Sequence, residues 1–260
     1  PICSEIKERL REILKITGTE EDELREHYSN GEALWLQGLV IREIIRKCRE
    51  SYRPRIGRKK VALVSSSLNR GGAERQLAYT FRGLDRKRFA CELVVQRFDN
   101  RGNGETYMEL IDEFTDSAFE ISESFSADEW SSGCLNPIEE DLLSLLPNTT
   151  IRTVRSLVLH FEKEVPDLVH CWQDQTIISA SIASIMCGVP RIMGSARSMR
   201  PDEKSELHIR KRPHLAQCMK FFLSDGRVSL TTNSQAGKTS YSEWLEISPK
   251  EISVIHNGVD

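Results

Sequence analysis

The residues of this chain best suited to chemistry fall in four short stretches. The first is Asn69-Arg70-Gly71-Gly72-Ala73-Glu74-Arg75. Two glycines between an apolar run and a helical pattern let a backbone approach a ligand closely. The start of the following helix leaves N–H donors unpaired and favours an anion there. Gly71 and Gly72 are therefore candidates to present N–H groups to a phosphate or a sugar hydroxyl. Arg75, in the first turn, either pairs with that phosphate or is an exposed helix charge. The second stretch runs from His170 through Trp172 and Gln173 to Asp174 and Gln175. Asp174 is a candidate base or hydroxyl anchor, with a helix-capping role as its structural alternative. His170 is a candidate catalyst, with a hydrogen-bonded core histidine as its alternative. Trp172 could form an apolar wall for a sugar, and Gln173 could bind hydroxyls. The third stretch ends in Arg197, whose planar fork suits a phosphate or carboxylate. Arg200, Lys204, Arg210, Lys211 and Arg212 follow it, interleaved with Asp202, Glu203 and Glu206. That pattern fits either an anionic acceptor or a solvated charged loop. The fourth stretch is Asn233-Ser234.

Those residues need a frame, and the hydrophobic pattern supplies one. Apolar runs at 60–67, 90–96, 118–121, 168–172, 192–196, 228–232 and 252–256 read as strands. Helical patterns at 73–84, 142–146, 151–161, 177–187, 214–223 and 235–245 alternate with them, and a short helical piece falls at 107–114. Strands alternating with helices predict a parallel sheet. All four chemical stretches then fall at carboxyl ends of strands, the edge where open parallel sheets bind ligands. Segment 177–187 is apolar or small all round and is expected deep in the domain. Gly188 and Pro190 should end it. Segment 122–133 reads as a surface loop, and 199–213 as a charged loop. Residues 1–50 read as a helical extension. Residues 51–60 read as a basic linker, either solvated or lying on anionic headgroups at about 1 kcal/mol per charge.

Composition removes several function classes. The chain has 260 residues, a net charge of −3, 39% hydrophobic and 29% charged residues, as expected of a soluble globular protein. A nucleic-acid binder would usually be strongly basic. No stretch approaches the roughly 20 apolar residues of a membrane helix. The start, Pro1-Ile2-Cys3-Ser4-Glu5, lacks a basic region followed by an apolar stretch, so no signal peptide is expected. Seven widely spaced cysteines without a Cys-x-x-Cys argue against a disulfide framework or a zinc site and for buried thiols in a reducing compartment. The Gly-x-Gly-x-x-Gly of dinucleotide enzymes is absent after the first strand, which disfavours a nicotinamide or methyl-donor enzyme.

The run Gly71-Gly72-Ala73-Glu74-Arg75 resembles the start of family 4 retaining glycosyltransferases. Thr231-Thr232-Asn233-Ser234-Gln235-Ala236 resembles that family's Asn-Ser turn, and Asn257-Gly258-Val259-Asp260 its Asn-Gly-Val-Asp segment, which ends the first of two Rossmann-like domains. His170-Cys171-Trp172 and Arg197-Ser198 are similar to a branch with His-x-Trp and a later Arg-Ser. Many relatives carry a second histidine where this chain has Trp172, which puts the usual histidine role in doubt. The resemblance covers residues 60–260. It implies a GT-B fold, with residues 61–260 as its N-terminal, acceptor-side domain. It also implies transfer of a sugar from a nucleotide-sugar to a saccharide or lipid-linked acceptor with retention. Gly71, Gly72, Arg75, Trp172, Gln173, Arg197, Asn233 and Ser234 would be on the substrate side. No metal or cofactor is expected beyond the nucleotide-sugar co-substrate. The family's donor residues, two glutamates seven apart with an Arg and a Lys, lie in a second domain that cannot be assigned here. Polysaccharide or glycolipid synthesis at the cytoplasmic face of a membrane would follow, with no nucleic-acid partner. The alternative is a non-catalytic sugar-binding or scaffolding module.

Overall fold

Strands buried on both faces need continuous apolar runs, and this sequence supplies them. In a computed structural model that describes residues 57–99, 101–121, 148–201 and 214–258, together with Ile44 and Leu143, seven such strands are present. They are β1 (Lys59–Ser67), β2 (Phe89–Arg97), β3 (Ala118–Glu120), β4 (Leu168–Trp172), β5 (Ile192–Ala196), β6 (Val228–Thr232) and β7 (Ile252–Val254). All pair in parallel, in the order β3-β2-β1-β4-β5-β6-β7. The chain builds outward from β1 to β3, then returns to the far side of β1 to lay down β4. The β1–β4 boundary is therefore the topological switch point, where open α/β sheets leave a crevice for ligands.

The helices among the described residues are α1 (Gly72–Gly83), α2 (Asn148–Glu164), α3 (Asp174–Met186), α4 (His214–Ser224) and α5 (Gln235–Leu245). Strand residues alternate between two cores, as a period of two requires. Val61, Leu63, Cys91 and Leu93 pack with Leu77, Ala78 and Phe81 of α1. Ala62, Val64, Val94 and Cys171 pack with Val154 and Val158 of α2 and Ile178 and Ile182 of α3. Residues 176–186 of α3 are all buried, as their apolar or small side chains predict. Gly188, at φ 65°, follows the helix in the left-handed region, where glycine carries no Cβ penalty. The chain is thus an α/β protein with a Rossmann-like parallel sheet flanked by helices.

β1 begins at Lys59, so the last two charges of the predicted basic linker belong to the sheet. Lys60 is buried, with Nζ 2.8 Å from the carboxylate of Glu92 and a second bond to Glu164. Glu92 also lies 3.4 Å from His160 Nε2. Asp167 accepts from Lys59 Nζ at 3.0 Å and from the Lys60 backbone N–H at 2.8 Å. The hydrogen bond from Lys60 holds the Glu164 carboxyl below its ordinary range. This network fastens the amino ends of the strands, opposite the edge that carries the candidate site.

The segment predicted as a helical piece at 107–114 is instead two short 3-10 turns, Met108–Leu110 and Asp112–Ser117, with a kink at Phe114. The expected helical extension, most of the basic linker, the 122–133 loop, most of the 142–146 helix and the charges at 204 and 210–212 lie outside the described residues.

Candidate functional site

β1 ends at Ser67 and α1 begins at Gly72, so residues 68–71 carry the chain over the sheet edge. A neighbouring loop braces this turn. Arg70 N–H donates to the Glu105 carbonyl at 3.0 Å, Tyr107 N–H donates to the Leu68 carbonyl at 2.9 Å, and Arg70 pairs with Glu109 at 2.8 Å. Asn69 Nδ2 donates to Asp99 at 2.8 Å. Backbone N–H groups of Gly104, Arg101 and Gly102 converge on the same carboxylate and lower its pKa, the Gly104 bond most strongly.

Neither glycine of the turn needs left-handed backbone. Gly71 caps α1 in the extended region, with φ −156° and ψ 163°. A Cβ there would fall on the carboxylate of Glu74, the flexible end of a side chain that would have to swing away. Glu74 folds back over Gly71, and its Oε1 accepts from Gln173 Nε2 at 2.8 Å. Gly72 is exposed, and a Cβ there would meet nothing within 4 Å. The first turn thus keeps one open backbone approach, at Gly72, and one approach covered by a carboxylate. Arg75 is exposed.

Gln173 stands between the end of β4 and the start of α3 with φ 70° and ψ 152°. That conformation is almost restricted to glycine and costs about 1–3 kcal/mol in any other residue. It persists because the side chain is held on two sides. Ser66 Oγ, near the end of β1, donates to Gln173 Oε1 at 3.4 Å, and Gln173 Nε2 donates to Glu74. Gln173 thereby bridges the two strands of the switch point.

The next residues extend the linkage. The Arg197 guanidinium lies over the Trp172 ring, 4.4 Å from its centroid, and donates through Nη2 to Asn257 Oδ1. Burial lowers the Arg197 pKa. Asn233 Nδ2 reaches the Arg197 carbonyl at 3.4 Å. Asn257 is followed by Gly258, whose N–H and carbonyl both bond to the side-chain amide of Gln76, at 2.8 and 2.9 Å. Gln76 lies in α1, two residues beyond Glu74. The contacts therefore close a ring: Glu74, Gln173, Trp172, Arg197, Asn257, Gly258, Gln76. The ring spans the β1–β4 boundary and unites three of the four stretches singled out in the sequence.

Other candidates have structural duties. His170 is buried, and its Nε2 lies 2.7 Å from Ser195 Oγ. Ser195 Oγ lies 2.8 Å from Thr231 Oγ1, which donates to the Gly194 carbonyl at 3.2 Å. Because Thr231 uses its proton on that carbonyl, it accepts from Ser195, and Ser195 accepts from His170 Nε2–H. Burial, with a lesser contribution from the Arg197 charge, pushes the His170 pKa down to about 3. The imidazole is neutral and holds Ser195 through Nε2. Asp174 opens α3, and its carboxylate accepts from the hydroxyl of fully buried Tyr241. Ser234 caps α5, its Oγ accepting from Gly237 N–H at 3.0 Å. Trp172 is only 3% exposed, its ring lying beneath the Arg197 guanidinium.

Gln76 and Ser66 escaped the sequence-based site, and Glu74 and Asn257 entered it only as letters of quoted stretches, without a role. The signal for Gln76 was present but faint: it is a polar residue beside Leu77 on the apolar face of α1. Among the described residues no helix is long and apolar enough to cross a membrane, and no cluster of His, Cys, Asp and Glu could hold a metal ion.

No family model matches the chain. A curated relative, the Vi polysaccharide biosynthesis protein VipC/TviE of Salmonella typhi, is 24% identical over 212 residues, which cover 77% of this chain and 36% of that protein. Among solved structures, the apo form of the lipopolysaccharide outer core galactosyltransferase WaaB superposes with a TM-score of 0.50 at 16% identity, over 77% of this chain and 46% of that one. This likeness shows the fold alone. A UDP-GlcNAc 2-epimerase from Neisseria meningitidis, solved with UDP-GlcNAc bound, aligns over 76% of this chain and 46% of its own at 12% identity, and its TM-score of 0.47 is too low to carry an argument. The chain thus spans about a third of the curated relative and under half of these structures.

Proposed function

We propose that this chain is the N-terminal, acceptor-side half of a two-domain, GT-B-type glycosyltransferase. It transfers a hexosyl unit from a nucleotide-sugar to a saccharide or lipid-linked acceptor with retention, in polysaccharide or glycolipid biosynthesis. The closed ring from Glu74 to Gln76 carries the reading, because it builds a strained, polar surface at the one edge where such sheets take ligands. The polysaccharide-synthesis name of the relative and the GT-B frame of the transferase neighbour support it. A cytoplasmic site at the membrane face, with anionic lipid near residues 51–60, is part of the same reading.

In this reaction the bond from the sugar's anomeric carbon to the diphosphate breaks, and a bond to the acceptor oxygen forms on the same face. The acceptor proton leaves with the diphosphate. Electrostatic stabilisation of that leaving group dominates, and the donor half supplies most of it. This half orients the acceptor through Gln173 and Arg197, offers the open N–H end of α1 at Gly72, and excludes water with Trp172. His170, whose Nε2 is already bonded to Ser195, is read as a core residue in this scheme.

The test uses the native full-length protein with nucleotide-sugars and a saccharide acceptor, and reads the product by NMR. Transfer with the anomeric configuration of the donor supports the reading. Saccharide binding without transfer would favour a non-catalytic sugar-binding or scaffolding module instead.

A further inference from the structure

We propose that the Trp172–Arg197 stack is the counter-ion site for an oxyanion carried by the acceptor, so that the acceptor is an acidic saccharide rather than a neutral one. The inference rests on the acceptor-side reading and sharpens it.

Among the described residues, two donors in this stack have no acceptor. Trp172 is 97% buried by the complement of its 3% exposure, and its Nε1–H meets no hydrogen-bond partner. Arg197 Nε is buried and likewise unpartnered. An indole N–H and a guanidinium N–H can only donate. Buried polar groups are nearly always paired, so two orphans on stacked side chains point to a missing acceptor. Among the described residues no carboxylate lies within ion-pair reach of Arg197. Among the described residues its side chain donates to the neutral amide oxygen of Asn257. A half-buried cation without a counter-charge is costly, and burial already lowers its pKa.

The missing group must therefore accept hydrogen bonds and carry negative charge. A carboxylate or phosphoryl oxyanion does both. A neutral hydroxyl brings a proton of its own and no charge, and a metal ion has the wrong sign. Asn257 acts as a placeholder: it holds the guanidinium over the indole until the oxyanion takes the remaining N–H groups. Arg197 lies beside strained Gln173, so the charged group and the neighbouring hydroxyls of one sugar would be read together.

The experiment is calorimetric titration of the native full-length protein with three probes: a hexuronic-acid trisaccharide, the neutral hexose trisaccharide of the same linkage, and inorganic phosphate. The acidic trisaccharide should bind at least about tenfold more tightly than the neutral one, the size expected of one charge-assisted contact. Arg197→Gln should erase that preference, the acidic ligand losing more affinity than the neutral one. Trp172→Phe keeps an aromatic face under Arg197, removes the N–H donor together with the pyrrole half of the indole, and should weaken the acidic ligand several-fold more than the neutral one. If Arg197→Gln does not fold, Trp172→Phe and a fall of the preference with added salt decide the matter. Phosphate that displaces the acidic trisaccharide, and binds more tightly than it, supports the oxyanion site and assigns the charge to a phosphoryl group. Equal affinity for the two trisaccharides, or a preference that survives Arg197→Gln, overturns the proposal and leaves the acceptor-side reading standing. Absence of binding to either trisaccharide overturns both.

Discussion

The side-chain amide of Gln76 bonds to the backbone of Gly258 in both directions, Nε2 donating to the carbonyl at 2.9 Å and Oε1 accepting from the N–H at 2.8 Å. It does for this segment what a neighbouring strand would do, 182 positions away in sequence. Gln76→Leu removes both bonds and leaves the Gly258 groups to water. Amide exchange at Gly258 should quicken by about tenfold or more, as expected for two net hydrogen bonds of about 1 kcal/mol each. Unchanged protection would show that something else holds the segment.

Glu74 both covers Gly71 and accepts from Gln173. Gly71→Ala must push the carboxylate away, because the new Cβ would sit 2.3 Å from Oε2. Gln173→Ala breaks the same bond from the other side. Each change should cost about 1 kcal/mol, and the double variant should cost little more than one of them. Denaturant unfolding of the four proteins would give a coupling energy of about 1 kcal/mol. Additive effects would mean that the two residues do not act through one contact.

Glu92 is buried and depends on Lys60 for its counter-charge. Lys60→Met leaves that carboxylate stranded and should destabilise the protein by about 3–5 kcal/mol. Adding Glu92→Leu should recover most of the loss, since a buried ion pair replaced by apolar side chains is often neutral. Thermal unfolding of single and double variants checks both directions.

His170 falls from an ordinary pKa of 6.5 to about 3 on burial. Between those values the unfolded chain binds a proton that the folded chain does not. This group therefore contributes stability that is fully present above about pH 6.5 and is lost as pH falls toward 3, by at most about 1.4 kcal/mol per pH unit. His170→Gln should be less stable at neutral pH, because the bond to Ser195 is disturbed, and its stability should fall less steeply on acidification. Parallel pH slopes for the two proteins would show that His170 titrates normally.

The fold was legible because its signals are local. β4, β5, β6 and α5 fall where apolar runs bounded by Gly, Pro, Asn or Ser place them. α3 starts earlier than its apolar run, at Asp174, because the half-buried Asp174 and the exposed Gln175 form its first turn. β7 ends at Val254 instead of residue 256, although Ile255 N–H still donates to the Thr232 carbonyl at 2.8 Å. The site was legible only in its strand-end positions. Nothing in the letters of Gln76 and Gly258, or of Arg197 and Asn257, says that they meet, since topology alone joins them. The backbone of Gln173 was equally hidden: glycine would have advertised such a φ, and glutamine does not.

The central claim is that the ring at the β1–β4 boundary handles the acceptor side of a sugar transfer. Steady-state kinetics of Arg197→Ala in the native full-length protein, with donor and acceptor varied in turn, test it most directly. The account predicts that the acceptor KM rises by about tenfold or more while the donor KM stays unchanged, the pattern of lost ground-state binding to one substrate. Unchanged acceptor kinetics, or a rise confined to the donor KM, would contradict it.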